Sequence, residues 1–343
     1  MKSINRHFLF PAVLATTAVL LSFSAPAFAV DDGARAFWKA REGSTVLSFQ
    51  YLNLNMQASG AEQFAPGQYI YPNSDAEANV VLASWVRHMT LFDRASSFAV
   101  NLAGGSVQAD VGASLPSEFL PPGATPSVAF SQSSSGYADP ILQLDINLVG
   151  TPRLKSNVDL FNYEPTWTVD TAVMLGVPMG EYDDDKLVNL GLNRWFTRIA
   201  LPVKYHFGAF SPGYMGSFEI TPSVWVFEDN DDFLGQTLEN DPIWQLEAHL
   251  TQDFTPTVFG SIDLLYRKGF ESTIGGDEAG EELDIGSLGY TLNFTSTDNL
   301  MIRASFSSNV FGDSDVDTSA IRMQLVYRWH EATENNKKMK GGH

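Results

Sequence analysis

The sequence contains no cysteine. This absence excludes disulfide frameworks, thiolate metal sites and cysteine nucleophiles. Positive charge is also scarce, because 21 Lys and Arg stand against 40 Asp and Glu and give a formal net charge of −19 at pH 7. A chain with this balance is poorly suited to neutralise phosphates irrespective of base sequence, so we predict no nucleic-acid partner.

Long hydrophobic runs are missing beyond residue 30, where no stretch reaches eighteen consecutive apolar residues. A helical membrane protein is therefore excluded. The chain is nevertheless 44% apolar and carries 7 Trp, 11 Tyr and 24 Phe in 343 residues. This composition is too apolar for a disordered chain, and the length allows one large β-domain or two ordinary domains.

The first 29 residues have the features of a secretory signal peptide. Lys2 and Arg6 precede an apolar core over residues 8–23, and Ala27 and Ala29 provide the small-x-small pattern for cleavage after Ala29. The alternative is an N-terminal membrane anchor. We expect a mature chain from Val30 onward, exported to the envelope of a Gram-negative bacterium.

Apolar residues along the mature chain alternate with a period of two, which indicates β-strands. In residues 141–148, Leu142, Leu144 and Ile146 share one face, whereas Gln143 and Asp145 share the other. The remaining candidate strands are 45–53, 80–90, 95–104, 167–177, 195–207, 217–227, 244–250, 258–267, 288–294, 300–306 and 321–329. Most span roughly nine to thirteen residues, the length of a tilted transmembrane strand rather than of a sandwich strand.

The predicted linkers alternate between short and long. Short ones at 92–94, 252–256 and 295–299 separate long ones rich in Gly, Pro, Ser and acid, of which 105–137 is the longest. We therefore predict an all-β fold: a single antiparallel transmembrane β-barrel of about 12 strands, with short periplasmic turns and long acidic external loops. The alternative is a soluble β-sandwich or lipocalin-like barrel.

The predicted division of the chain follows from these patterns. After the signal peptide (1–29), residues 30–43 form an N-terminal periplasmic segment, 44–329 the barrel, and 330–343 a polar C-terminal tail. A brief helical pattern near residues 31–41 leaves three alternatives open. This stretch lies at the periplasmic interface, plugs the barrel, or is a flexible leader.

Aromatic residues on the apolar faces predict the two girdles of a membrane barrel. Trp195 and Tyr205 lie ten residues apart on one face, roughly 25 Å along the membrane normal for a strand tilted near 40°. The predicted girdle residues are Trp195, Tyr205, Trp244, Tyr266, Tyr290, Tyr327 and Trp329, with Trp167 and Phe294 beside the inner ones.

The opposite faces carry the polar side chains that would line the lumen. The candidates are Asp145, Asp170, Arg198, Lys204, His206, Glu219, Glu247, His249, Asp263, Arg267, Arg303, Arg322 and Arg328. A twelve-stranded barrel has a backbone radius of roughly 12 Å, so these charges predict a charged constriction rather than an apolar tunnel. Two transport modes remain open: a narrow diffusion channel for small polar or anionic solutes, and a gated path for hydrophobic or aromatic molecules.

Residues able to support catalysis are few. Nucleophile motifs, phosphate-binding glycine loops and H-E-x-x-H are absent. Glu247 and His249 face Asp263 and Arg267 on the next predicted strand, which allows a hydrolytic or metal site in principle, but pairing of lumen charges is the simpler interpretation. We therefore predict no enzyme, no cofactor and no metal.

Three acidic clusters, at 183–185, 228–232 and 277–282, lack the spacing of an EF-hand calcium loop. We expect solvated external loops. If they lie at the cell surface, they could bridge to lipopolysaccharide through divalent cations.

Two further motifs carry a family resemblance. P-x-G-E-Y-D begins at Pro178, and N-x-G-x-N-R-W begins at Asn189; G-Y-A-D-P at Gly136 and A-R-A-F-W at Ala34 accompany them. These motifs resemble those of the outer-membrane transporter family named for the meta-pathway of phenol degradation. One departure is that fourteen residues follow Trp329, where outer-membrane strands commonly end the chain on an aromatic residue.

The resemblance implies a β-barrel associated with the uptake of aromatic compounds, without catalytic residues common to the family. We predict an outer-membrane channel or transporter for small molecules, aromatic or hydrophobic ones by the resemblance. Its expected partners are outer-membrane lipid, lipopolysaccharide, the solute and the barrel-insertion machinery. The alternatives are a structural or surface-interaction barrel without transport, and a barrel-borne lipid hydrolase.

Overall fold

A computed structural model describes residues 32–330 except 59–61, 66–67, 71–73, 115–126, 157, 160–161, 187, 281 and 313–315. The predicted signal peptide and most of the predicted C-terminal tail lie outside the described residues. The strands are β1 Ser44–Ala58, β2 Glu62–Ala65, β3 Gln68–Ile70, β4 Ser74–Leu91, β5 Arg94–Ser114, β6 Ser127–Tyr137, β7 Ile141–Val149, β8 Trp167–Gly176, β9 Phe196–Ala200, β10 Val203–Phe207, β11 Gly216–Phe227, β12 Asn230–Phe233, β13 Gln236–Asn240, β14 Ile243–Thr255, β15 Val258–Gly269, β16 Ser272–Ile274, β17 Asp277–Gly280, β18 Leu283–Thr297, β19 Leu300–Phe311 and β20 Val316–His330.

The large sheet closes on itself. Strands β6 and β7 pair in succession with β5, and β9 and β10 pair in succession with both β8 and β11, so each couple is one interrupted strand. The break between β9 and β10 falls at Pro202, which has no N–H to donate; its carbonyl instead accepts the N–H of Asp170 at 2.9 Å. With β1 paired to β20, the result is a closed antiparallel barrel of twelve strands, which confirms the predicted fold class.

The two ends of the barrel differ. At the end where β1 begins and β20 ends, called the inner end, tight turns join β4 to β5, β14 to β15 and β18 to β19. The first turn has positive φ angles at Phe92 and Asp93, as a two-residue hairpin turn requires. Most long connections lie at the opposite, outer end, so the expected alternation of short and long linkers is confirmed for these strands; residues 150–166, between β7 and β8, are a long connection at the inner end.

Several strands extend beyond the predicted limits at the outer end. The predicted loop 105–137 is wrong in extent, because β5 continues to Ser114 and pairs with β6 from Ser127 onward. Its serine and glycine content suggested a loop, but Val107 and Ala109 are buried on alternate positions and the backbone groups pair across the ladder. Pairing with β6 therefore makes residues 105–114 part of a strand despite their weak intrinsic preference for β-structure.

The outer end carries a cap built from residues 177–195 and the four-stranded sheet of β12, β13, β16 and β17, here called the outer cap. Phe233, Leu238 and Phe270 are buried within it. The acidic side chains of residues 183–185 remain exposed, as expected for external loops. The predicted loops therefore combine a charged surface with an apolar interior.

Among the residues that the structure describes, no helix has the length and apolarity needed to cross a membrane.

Candidate functional site

The inward faces of the strands divide the lumen into an apolar outer half and a polar inner half. In the outer half, buried side chains from most of the barrel join the interior of the outer cap in one hydrophobic core. Its lumen members are Leu52, Leu54, Met56, Ala76, Ala78, Val80, Val107, Ala109, Ile141, Met174, Phe196 and Trp225. The predicted charged lumen therefore describes the inner half alone.

The predicted lumen did not include the apolar outer half, because the inward and outward faces of a strand exchange polar and apolar character along its length. In β1, Leu52 and Leu54 point inward, while Asn53 and Asn55 are outside and hydrogen-bond with each other at 2.7 Å. Asn53 also donates to Asn79 of β4 at 3.0 Å. An apolar residue in a membrane strand is ordinarily assigned to the lipid face, and this rule fails where the strand continues past the bilayer.

The motif resembling the transporter family fastens the outer cap to the barrel. The Asp139 carboxylate accepts N–H groups of Met179, Gly180 and Leu192 at 3.0, 2.7 and 2.7 Å. A Cβ atom on Gly180 would lie 2.6 Å from the Cα atom of Gly191, so the motif's glycines allow two backbones to touch.

The arginine of the second motif is buried beneath this cap. Arg194 donates to the carbonyls of Glu228 and Leu238 at 3.3 and 3.5 Å and to the Asn240 side chain at 2.5 Å. Burial lowers the pKa of its guanidinium to about 10 and raises the pKa of the neighbouring Tyr182 to about 12. Both motifs therefore have a structural role in closing the outer end.

The inner half of the lumen holds residues 32–40, here called the N-terminal plug. The backbone N–H groups of Asp32 and Arg35 donate to Glu247 and Glu219 at 2.8 and 3.0 Å, and the Trp38 indole donates to Glu219 at 2.8 Å. This position differs from the periplasmic one expected for residues 30–43. It corresponds to the plug alternative.

Ion pairs reinforce the attachment. Asp32 pairs with Arg198 at 2.8 Å, and Arg35 pairs with Asp253 at 2.7 Å. Lys39 contacts the carboxylates of Asp145 and Asp170, the second at 3.2 Å. All these side chains are nearly excluded from solvent. A buried charge is tolerated only with a partner, so plug and barrel each supply the charges that the other needs.

Six of the predicted lumen residues form hydrogen bonds or ion pairs with the plug: Asp145, Asp170, Arg198, Lys204, Glu219 and Glu247. Lys204 donates to the Phe37 carbonyl at 2.6 Å and also pairs with Asp170. His206 meets the Trp38 ring edge to face at 5.2 Å. The structure therefore brings these predicted lumen residues together around residues 32–40, a segment that the predicted division of the chain placed in the periplasm.

The other predicted lumen residues lie beside this network. His249 hydrogen-bonds to Asp263 at 2.7 Å and approaches Glu247 at 3.6 Å. Arg267 donates to Gln245 at 2.9 Å. Arg328 is exposed at the inner end, where its Nε donates to the Asp298 carbonyl at 3.0 Å. Arg303 and Arg322 face the plug from strands β19 and β20.

A cavity of about 540 Å³ lies between the plug and the wall formed by β18, β19, β20, β1, β4 and β5. Arg35 and Phe37 of the plug form one side, and Thr257 and Arg328 mark its inner limit. Its size suits a small organic molecule. Asp253 to Val258 and the plug were not identified as cavity-forming from sequence, because their contacts join parts of the chain more than 200 residues apart.

The arrangement of Glu247, His249 and Asp263 is closed rather than open to a substrate. Asp263 accepts hydrogen bonds from Ser261 and Thr291, each at 2.7 Å, in addition to His249. Glu247 is occupied by Arg198 and the plug. The carboxylates of residues 183–185 lie within 4.8 Å of one another and could hold a metal ion, but all are exposed.

The outer surface of the barrel is apolar over a broad belt. Trp195, Tyr205, Trp244, Tyr290 and Tyr327 are exposed there among many aliphatic side chains. The remaining two predicted girdle residues are half-buried: Tyr266 stacks on Phe311 at 6.0 Å, and Trp329 stacks on Tyr327 at 5.7 Å. An apolar belt of this extent is unsuited to water and suits lipid.

Comparison with known families adds one assignment. The sequence model of the family described as “Putative MetA-pathway of phenol degradation” matches residues 59–315. Comparison with curated proteins gave no match.

Solved structures show the same barrel. The COG4313 outer membrane channel from Pseudomonas putida F1 is similar at a TM-score of 0.64 and 19% identity, over 88% of this chain and 100% of that one. At this identity the similarity establishes the fold.

Two autotransporter domains are more distant. The β domain of Bordetella Brka has a TM-score of 0.42 and 11% identity, over 84% of this chain and 100% of that one. The transport unit of AIDA-I from Escherichia coli has a TM-score of 0.39 and 11% identity, over 92% and 97%.

Proposed function

This chain belongs to the family named for the MetA-pathway of phenol degradation, and from that premise we propose that it is an outer-membrane channel for the uptake of small aromatic or hydrophobic molecules. The barrel is that of an outer membrane channel. The substrate class rests on the family's description and on the lumen.

The observation that carries the proposal is the apolar outer half of the lumen. A polar solute crossing it would lose its hydration without gaining hydrogen bonds, which costs several kcal/mol. An aromatic molecule instead gains about 25 cal/mol for each Å² of apolar surface that it buries. The same stretch of lumen therefore opposes polar solutes and favours apolar ones.

The N-terminal plug makes this path a gated one. It is fastened by Asp32, Arg35 and Lys39 to opposite charges on the barrel wall, so passage through the inner half requires the plug to shift. Of the two transport modes that the sequence leaves open, the gated path for hydrophobic molecules fits this lumen, whereas an open diffusion channel does not.

Catalysis is not part of the proposal. The hydrogen-bonding groups of Glu247, His249 and Asp263 are directed at one another and at the plug. A purely structural barrel would need neither the cavity nor a removable plug. We also propose outer-membrane lipid, lipopolysaccharide and the barrel-insertion machinery as partners. The predicted girdle residues would contact lipid, and the predicted polar lumen residues would line the inner half of the barrel.

The proposal is tested by entry of N-phenyl-1-naphthylamine, which fluoresces in apolar surroundings, into intact Gram-negative cells. Phe37 of the plug and Ala200 of the barrel belong to one buried cluster, and the chain has no competing cysteine, so a Phe37→Cys/Ala200→Cys pair serves as the staple once loss of free thiols verifies its disulfide. We expect the wild type to accelerate entry over cells lacking the protein. The stapled variant should do so only after reduction with dithiothreitol.

The control carries Phe37→Ser and Ala200→Ser, which have similar volumes and cannot form a disulfide. It should match the reduced staple. Equal entry with and without the wild-type protein would refute uptake of hydrophobic molecules. Rapid entry through a fully oxidised staple would refute gating by the plug.

A further inference from the structure

The cavity beside the plug carries an excess of positive charge in a strongly acidic chain. Three carboxylates line it, and each is paired with a cation: Asp32 with Arg198, Asp253 with Arg35, and Asp145 with Lys39. Beyond these pairs, the lining includes Arg303, Arg322 and Arg328, of which Arg322 has an interaction partner of its own and Arg328 is exposed at the inner end. Positive charge in a recess of low dielectric attracts anions.

Arg303 is the arginine available for such an anion. It forms no hydrogen bond or ion pair with any described residue, and its Nε atom is buried without a hydrogen-bond partner. Its guanidinium lies over the face of Phe259, 5.5 Å from the ring centroid. A guanidinium has five donors suited to a carboxylate, so this side chain is available for one.

The acidic groups facing Arg303 are already occupied. Asp263 accepts hydrogen bonds from His249, Ser261 and Thr291. Glu219 accepts them from the plug and from Ser217 at 2.6 Å. The hydrogen-bonding positions of both carboxylates are therefore engaged by other groups, and neither carboxylate forms a hydrogen bond or an ion pair with Arg303.

Asn293 provides an independent sign of a missing ligand. It lies directly opposite Arg303 in the β18–β19 ladder, is 1% exposed and lines the cavity. Neither its amide nitrogen nor its amide oxygen has a hydrogen-bond partner. A buried amide left unsatisfied costs free energy, and such groups in native proteins ordinarily indicate a bound molecule, a water or an ion.

The neighbouring side chains extend this polar row. Gln324 lies opposite Arg303 on the other side, and Gln50 lies opposite Gln324 on β1. The guanidinium of Arg322 joins them near the plug: a Cβ atom on Gly33 would lie 3.2 Å from Nη1 of Arg322 and 3.6 Å from Nη1 of Arg303. Two guanidinium groups and three amides thus face one region of the cavity.

The wall around this row also carries apolar side chains. Leu82 lies opposite Gln50, and Val46, Val86, Met301 and Val326 lie on the inner side of the row, with Ser48 and Ser84 between them. An inorganic anion would make no use of these apolar groups. A molecule with an anionic group at one end and an apolar body at the other would use both.

We propose that the cavity is a binding site for a small organic carboxylate, whose carboxylate is held by Arg303 and Asn293 and whose apolar body lies against the wall of β1, β4, β19 and β20. This deepens the proposed function, on which it rests, by naming a ligand class for the inner half of the lumen. The site would then bind aromatic acids more tightly than neutral aromatic molecules of the same size.

The test compares benzoate with benzyl alcohol, its neutral analogue, by titration calorimetry on the full mature chain in a neutral maltoside detergent. Charge-assisted hydrogen bonds predict at least a tenfold tighter binding of benzoate. Arg303→Gln should abolish this preference and leave benzyl alcohol unaffected. Lys268→Gln, which removes one exposed cation outside the cavity, should change neither.

Asn293→Leu separates a ligand-binding role from a structural one. It replaces the unsatisfied amide with an apolar group of similar volume, so the variant should bind benzoate several-fold more weakly while unfolding at the same or a higher temperature. A lower unfolding temperature together with unchanged benzoate binding would contradict the assigned role of Asn293.

The outcomes distinguish the proposals. Equal binding of benzoate and benzyl alcohol to the wild type would overturn the carboxylate site and leave hydrophobic uptake standing. A preference that survives in the folded Arg303→Gln variant would overturn the position of the site. Phosphate binding as tight as benzoate binding would overturn the organic ligand. Binding of neither aromatic compound would count against the proposed function itself.

Discussion

Replacing Arg35 with methionine should release the N-terminal plug while leaving the barrel folded. The guanidinium pairs with Asp253 at 2.7 Å, donates to Thr251 at 3.0 Å, and lies 4.1 Å from the centroid of the Phe259 ring. Methionine keeps part of the volume and removes every one of these polar contacts.

The expected loss of free energy of plug attachment follows from the burial of the Arg35–Asp253 ion pair. Removing one partner of a buried ion pair costs about 3–5 kcal/mol, since the other charge remains without compensation. Asp253 keeps the N–H group of Gly213 at 2.9 Å, which favours the lower end of that range. About 3 kcal/mol corresponds to roughly a hundredfold shift toward the detached plug.

The assay is the rate at which N-phenyl-1-naphthylamine enters intact cells, with heat-modifiable migration on gels as the check of folding. We expect entry to accelerate by up to two orders of magnitude in the Arg35→Met variant. Lys268→Met, at an exposed external pair, should behave as the wild type does. Unchanged entry with a folded Arg35→Met variant would refute the attachment of the plug by this pair.

Three further predictions follow from other parts of the chain. Gly33→Ala puts a Cβ atom at a φ of 88° and 3.2 Å from Arg322, so the plug should become more sensitive to limited proteolysis, by a factor corresponding to about 1–2 kcal/mol. Asp139→Leu leaves three backbone N–H groups of the outer cap without an acceptor, so cap cleavage by protease should increase at least tenfold while the barrel stays folded; unchanged cleavage would contradict its clamping role. The hydrogen bond from Arg153 holds the pKa of Glu42 below its usual range. The contact therefore contributes its full stability at pH values above the ordinary carboxyl pKa, and it is lost as the pH falls through the lower pKa of the native state. Amide protection factors near residue 153, which correct for the pH dependence of intrinsic exchange, should therefore fall on acidification in the wild type and show no such pH dependence in Glu42→Gln.

The barrel could be predicted because its signal is local. Alternation over residues 141–148 needs no knowledge of any other strand, and the twelve predicted segments all fall on strands of the closed sheet. The ends of the strands were harder to predict from the sequence. Residues 105–114 extend β5 because β6 pairs with them, and a serine-rich partner gives little sign of its own.

The site was predictable in its residue types and not in its geometry. Period two placed Asp145, Arg198 and Glu247 on inward faces, but Lys39 and Asp145 are 106 residues apart in the chain and nothing local joins them. The unsatisfied amide of Asn293 is likewise a property of the assembled ladder. The family motifs around residues 178–195 had a clear sequence signal, and their structural role in the outer cap emerges only from the hydrogen bonds to Asp139.

The most direct test of a gated barrel is the rate at which a hydrophobic fluorescent molecule enters intact cells carrying the folded Phe37→Cys/Ala200→Cys variant, measured before and after reduction. We predict entry no faster than in cells lacking the protein while the disulfide is intact, and rapid entry that candidate aromatic molecules slow by competition once dithiothreitol is added. Rapid entry with the disulfide fully formed would contradict the plug as the gate.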